Sequence, residues 1–72
     1  MDWKGVVGSN VRRLRLARGL SQEDLAVDSS IDLSYVSGIE RGLRNPSVLV
    51  LARLAAALGT EPAILLTPSA ED

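Results

Sequence analysis

The chain has 72 residues and a net charge of −1, from nine acidic and eight basic side chains, with no cysteine and no histidine. That length implies one domain, residues 1–72, with a modest core and little stability to spare. The missing cysteines exclude disulfides, thiolate metal sites and thiol nucleophiles. The missing histidines remove the commonest general base and metal ligand, so the expectation is a non-enzymatic protein without metal or cofactor.

Phenylalanine is absent, aliphatic residues dominate, and nothing alternates at period two, so the expected fold class is all-α, a compact five-helix bundle. The first helix is predicted from residue 4 or 5 to residue 18, with Val7, Val11 and Leu14 at helical spacing and Gly19 as its stop. Ser21 is the expected N-cap of a second helix, with Asp24 in the capping-box position and Leu25 and Ala26 facing inward. That helix ends in a polar turn at residues 28–30. Asp32 is the expected cap of a third helix, running to residue 40 or 41, which turns Val36 and Ile39 inward. Gly42 stops it, and Asn45-Pro46 marks a loop. Ser47 caps a fourth helix, residues 48–58, whose core side is read as Val48, Leu51, Leu54, Ala55 and Leu58, with Gly59 as its stop. A short fifth helix is placed at residues 61–66, with Pro62 in its first turn, followed by a frayed polar tail, residues 67–72.

No apolar run is long enough to span a bilayer and no signal-peptide core opens the chain, so the expected location is the cytoplasm, with no membrane partner. No small-molecule ligand is implied either. The total charge does not point to nucleic acid, but its distribution does. Arg12, Arg13, Arg15 and Arg18 share one helix, Arg41 and Arg44 flank a loop, and Glu61, Glu71 and Asp72 lie well away. A local basic surface can coexist with an acidic total; the competing reading is that these arginines merely solvate the first helix.

Arg15, Gly19-Leu20-Ser21-Gln22, Leu25-Ala26, Tyr35-Val36-Ser37, Ile39-Glu40-Arg41-Gly42, Asn45-Pro46-Ser47, Leu54-Ala55 and Leu58-Gly59 occur in an order and spacing that resembles the helix-turn-helix family of phage repressor and Cro proteins, also called the XRE family. The run from Tyr35 to Arg41 also looks like the controller proteins of restriction–modification systems. The resemblance covers roughly residues 7–66. It implies a five-helix bundle with the motif at about residues 21–41, whose third helix enters the major groove of double-stranded DNA.

By the same resemblance Leu33, Ser34, Ser37 and Gly38 face outward as base readers. Ser34 and Ser37 would donate or accept at base edges, and Leu33 would press on a thymine methyl group. The alternative is that the two serines only solvate the helix. None of these offers the bidentate contact of Arg, Gln or Asn, so DNA shape is expected to carry part of the specificity. Gln22, Tyr35, Arg41, Arg44, Arg12 and Arg13 are the expected backbone contacts. Tyr35 is read either as a phosphate donor or as a partly buried ring alone, and at least one of Arg12 and Arg13 can face away. Arg15 and Glu40 are implied to pair between the first helix and the end of the third, a structural role.

Related regulators pair on palindromes, and the fourth helix carries more apolar surface than one core needs. Leu49, Ala52 and Ala56 form a second stripe, joined by Ile64 and Leu66. These five are the expected interface of a symmetric homodimer, against the alternative of ordinary exposed aliphatics. The expected function is a sequence-specific transcriptional regulator that binds a palindromic operator as a homodimer, of the controller or similar autoregulatory kind. The alternative is an antitoxin-type DNA-binding protein whose main partner is a toxin.

Overall fold

The computed structural model describes residues 1–69. Five helices follow one another among these residues, with no strand: α1 (Trp3–Ala17), α2 (Gln22–Ser29), α3 (Leu33–Glu40), α4 (Val48–Leu58) and α5 (Pro62–Leu65). The expected all-α fold and the order of its elements are met.

Local chemistry accounts for most of the boundaries. Ser21 Oγ accepts from Asp24 N at 2.9 Å, and Asp24 Oδ2 accepts from Ser21 N at 3.0 Å, closing the predicted capping box of α2. Asp32 caps α3 by accepting from Ser34 N at 3.2 Å, and Ser47 caps α4 by accepting from Val50 N at 3.2 Å. Gly19, Gly42 and Gly59 have φ of 70°, 74° and 68°, the left-handed geometry that ends α1, α3 and α4. α1 starts earlier than its apolar spacing suggested, because Asp2 Oδ1 accepts from Gly5 N at 3.0 Å and caps it. α5 has only four residues, shorter than predicted.

α1 packs on α3, α4 and α5, while α2 packs on α3 and α4. Val11, Leu25, Val36, Leu54 and Leu65 are fully sequestered at their common centre, with Ile39 beside them. Each such side chain contributes about 1.5–3 kcal/mol through its burial. α1 and the end of α3 touch backbone to backbone at Gly8, where a Cβ would fall 2.3 Å from Ile39 O. Any side chain there would push α3 away from the bundle.

Two expectations about packing fail. Val48 is 77% exposed and does not join the core, because burial of α4 begins at Leu51, one turn further in. Leu65, not singled out in the sequence, is fully buried and pins α5 to the core. The predicted frayed tail is also corrected at its start. Thr67 Oγ1 donates to Ala63 O at 2.8 Å, and Thr67 O accepts from Asn10 Nδ2 at 2.9 Å, so Thr67 belongs to the folded part. Residues 70–72, the last three of that tail, lie outside the described residues.

Asn10 has no exposed surface and was not anticipated. Its Nδ2 lies 3.2, 3.0 and 2.9 Å from the carbonyl oxygens of Ile64, Leu65 and Thr67, which close the end of α5. The signal was present: an asparagine on the apolar stripe of Val7, Val11 and Leu14, where a polar side chain needs buried partners.

Candidate nucleic-acid interface

α2 and α3 are joined by Ser30, Ile31 and Asp32. Ser30 takes left-handed geometry at φ 57°, and Ile31 N returns to Ala26 O at 3.0 Å, which turns the chain sharply after α2. Ile31 is buried beneath this turn. The consequence is that α3 lies across α2 with one side left uncovered.

That side is a single stripe. Ser34, Ser37 and Arg41 recur at three and four residues along α3, with Leu33 beside them at its start. Leu33 is 42% exposed, Ser34 and Arg41 are exposed, and Ser37 is half-buried. No part of the described chain covers the stripe. It opens onto a cleft of about 770 Å³ between the starts of α2 and α3, lined by Arg15, Ser21, Gln22, Glu23, Asp32, Leu33, Ser34 and Ser37. An eight-residue helix is about 12 Å long and about 10–12 Å wide, a match for a major groove about 12 Å across.

Hydrogen bonding orients one of the two serines. Ser34 Oγ donates to Asp32 Oδ2, so its hydroxyl turns lone pairs outward as an acceptor. The hydroxyl and then the backbone N–H of Ser34 hold the Asp32 carboxyl below its ordinary pKa, so Asp32 stays charged at the rim of the face.

Arg15 organises the site from below. Its Nε lies 2.6 Å from Glu40 Oε2 and its Nη2 lies 3.0 Å from Glu40 Oε1, a two-pronged pair with side-chain exposures of 9% and 3%. Its Nη1 donates to Leu20 O at 2.8 Å. One guanidinium therefore ties α1, the turn into α2, and the end of α3. The Glu40 hydrogen bond, opposed in part by burial, raises the pKa of Arg15 above its ordinary value. Gln22 joins the same carboxylate, with Nε2 donating to Glu40 Oε1 at 3.1 Å. Its amide is thus held at the cleft edge with one N–H and the carbonyl still to offer.

The remaining expected contacts divide. Arg44 leaves the loop after α3 and places its guanidinium carbon 5.6 Å from the centre of the Tyr35 ring. The Tyr35 ring is half-buried against the core, so it supports the arginine. Gly38 departs from its expected outward position. It is buried, because the Arg44 side chain lies over it. Arg12 and Arg13 are both exposed, but they diverge by one residue's turn of α1. Arg13 Nη2 donates to Asn10 Oδ1 at 3.0 Å, which places it on the α5 side of α1 and away from the Arg15–Glu40 edge.

On the far side of the bundle, Leu49, Ala52 and Ala56 form an exposed stripe on α4, Leu49 being 71% exposed. Ile64 and Leu66, in and after α5, are each 42% exposed as well. Trp3, 51% exposed, lines a small cleft with Leu66 and extends the apolar surface to the start of α1.

A family model described as helix-turn-helix matches residues 11–65, most of the bundle. The chain belongs to this family. It is 46% identical over 71 residues to the HTH-type transcriptional regulator y4dJ of Sinorhizobium fredii, covering 99% of this chain and 92% of the relative. The crystal structure of the restriction–modification controller protein C.AhdI from Aeromonas hydrophila superposes with a TM-score of 0.83 at 50% identity, covering 86% of this chain and 94% of that one. The controller C.Esp1396I, solved as a tetramer in complex with its natural 35 base-pair operator, superposes with a TM-score of 0.80 at 33% identity, covering 88% and 83%.

The XRE-type resemblance and its controller-protein branch are thus met, and the family is one of DNA-binding transcription regulators, not of enzymes. Among the described residues no helix is long and apolar enough to cross a membrane.

Proposed function

We propose that this chain binds double-stranded DNA as a symmetric homodimer on a palindromic operator and regulates transcription, in the manner of a restriction–modification controller or a similar small autoregulator. The observation that carries the reading is the open stripe of Leu33, Ser34, Ser37 and Arg41 on α3, flanked by the Gln22 amide and the Arg44 guanidinium. Leu33, Ser34 and Ser37 read base edges: Leu33 meets a thymine methyl group, and Ser34 accepts from an exocyclic amine. Gln22, Arg12, Arg41 and Arg44 meet the phosphates. Glu23 and Asp32 at one end of the face and Arg41 and Arg44 at the other polarise it, which fixes how the duplex can lie. With so few base readers on the stripe, sequence-dependent groove shape supplies further discrimination.

Pairing through α4 and α5 doubles the face and sets half-sites ~34 Å apart, or a multiple of that. Residues 1–72 act as one DNA-binding domain, and the site of action is the cytoplasm. The relatives named above are regulators, which favours this reading over an antitoxin.

The test is selection of bound sequences from a pool of random duplex DNA at two salt concentrations. A palindrome should emerge at both, with lower yield at the higher salt. A pool that stays random at both overturns the reading.

A further inference from the structure

By helical phase, position 38 stands on the outward half of α3, one residue beyond Ser37 and four beyond Ser34. Gly38 is buried all the same. What covers it is the side chain of Arg44: a Cβ at position 38 would meet Arg44 Cγ at 2.8 Å, Nε at 3.2 Å and Cδ at 3.5 Å. The stem of Arg44 lies along the bare backbone of α3, and its guanidinium carbon sits 5.6 Å from the Tyr35 ring centroid. The main chain is held at the same place. Leu43 N donates to Gly38 O at 2.9 Å, so the segment that delivers Arg44 is anchored to the residue that seats its side chain.

We propose that Gly38 is a positioning residue for DNA binding: its missing side chain seats Arg44 against α3, so that the guanidinium reaches the duplex already ordered. The reading that this face meets DNA underlies the proposal. A free arginine on an exposed loop loses rotamer freedom when a phosphate captures it. Arg44 has given up much of that freedom within the folded protein, between the Gly38 backbone and the Tyr35 ring. A planar fork also needs a fixed orientation to engage two phosphate oxygens together, which a mobile side chain does not supply. The seat would be lost with any larger residue at position 38. Arg44 itself is exposed and would swing aside without disturbing the core.

The proposal is tested in two ways on the full chain. In the free protein, NMR should show the Arg44 side-chain protons shifted upfield by the Tyr35 ring. In Gly38→Ala that shift should collapse towards the value of a mobile arginine. Absence of the shift in the wild type overturns the proposal without any variant and without DNA. The second arm measures affinity for a duplex that the wild type has selected. Gly38→Ala should weaken binding about threefold to tenfold per half-site, the cost of ordering one long side chain. On an Arg44→Ala background the same substitution should change nothing. Unaltered binding by Gly38→Ala, or an equal loss on both backgrounds, overturns the proposal. Unfolding does not confuse the result, since alanine favours the helix interior over glycine and circular dichroism should show α3 retained. Should the wild type select no duplex, the regulator reading falls on its own, and the NMR arm still decides the seat.

Discussion

Gln22 donates its side-chain amide to Glu40 at 3.1 Å, and the carboxylate that receives it is the one Arg15 grips from the other side. A residue at the DNA-facing cleft and a residue of the buried framework therefore share one acceptor. The two should separate on mutation. Glu40→Ala leaves the Arg15 guanidinium buried without its mate, at a cost of up to ~3–5 kcal/mol, a large share of what so small a domain has. Gln22→Ala removes one half-exposed hydrogen bond, worth about 0.5–1.5 kcal/mol. Urea unfolding should show a collapsed midpoint for the first and a nearly unchanged one for the second. Binding to a selected duplex should nonetheless fall for Gln22→Ala. Equal midpoints for the two variants would refute the division of labour.

The arginines make a second contrast. Arg41 continues the exposed stripe of α3, whereas Arg13 is tied to Asn10 on the α5 side of α1. Removing one arginine from a phosphate lowers the slope of log affinity against log salt by ~1, hence by ~2 for a dimer carrying the change twice. Arg41→Ala should show that drop and weaken all sequences alike. Arg13→Ala should keep the wild-type slope. A reduced slope for Arg13→Ala would restore it to the interface.

How much of this was legible in the chain follows from the range of each interaction. Ser21, Asp24, Asp32 and Ser47 could be read because a cap and its target lie within three residues. The inward faces of α2 and α3 were legible through spacing. The family likeness supplied the Arg15–Glu40 pair, which no local window contains, since 25 residues separate the partners. Asn10 bonds to carbonyls 54 to 57 residues away, and its partners exist only after α5 has docked. Gly38 looked exposed because the family's outward positions take no account of this chain's own Arg44 arriving from the next loop. Val48 shows the opposite error: its phase was right, but the first turn of α4 lies beyond the core.

Asn10 is the most consequential residue that escaped the sequence reading. Asn10→Leu leaves the buried Leu65 carbonyl without its side-chain donor, and an unpaired buried group costs about 1–3 kcal/mol. The loss falls on α5, whose four residues have little stability of their own. Amide hydrogen exchange should quicken at residues 64–67 ahead of α2 and α3. Uniform quickening across all helices would show instead that Asn10 supports the whole core.

Two exposed capping carboxylates give the fold a dependence on pH at the acid side. The backbone N–H and then the hydroxyl of Ser21 hold Asp24 below its ordinary pKa of 3.8, and Ser34 does the same for Asp32. A folded-state value below the unfolded one means that the unfolded chain binds the proton more readily. The stabilisation is complete above that ordinary value and is lost as pH falls through the lower folded one. The thermal midpoint should be flat between about pH 5 and 7 and decline below about pH 4. Asp32→Asn keeps an N-cap but cannot titrate, so its acid decline should be shallower. An identical decline would assign the acid limit to other groups.

The apolar stripe on α4 and α5 allows a sharp test of pairing. Leu49 is 71% exposed, and Ala52 and Ala56 beside it leave room for a close approach of two helices. In a twofold contact each residue near the axis meets its own copy or a near neighbour, so one substitution acts twice. Leu49→Glu would set two like charges across an apolar seam, each losing hydration there. Sedimentation at micromolar concentration should give twice the chain mass for the wild type and the single mass for Leu49→Glu, with unchanged helicity in both. Affinity for the palindrome should fall with the loss of pairing, while affinity for an isolated half-site should hold, because Leu49 is remote from α3. A wild type that sediments as a monomer would remove the dimer, and with it the reason to expect a palindrome.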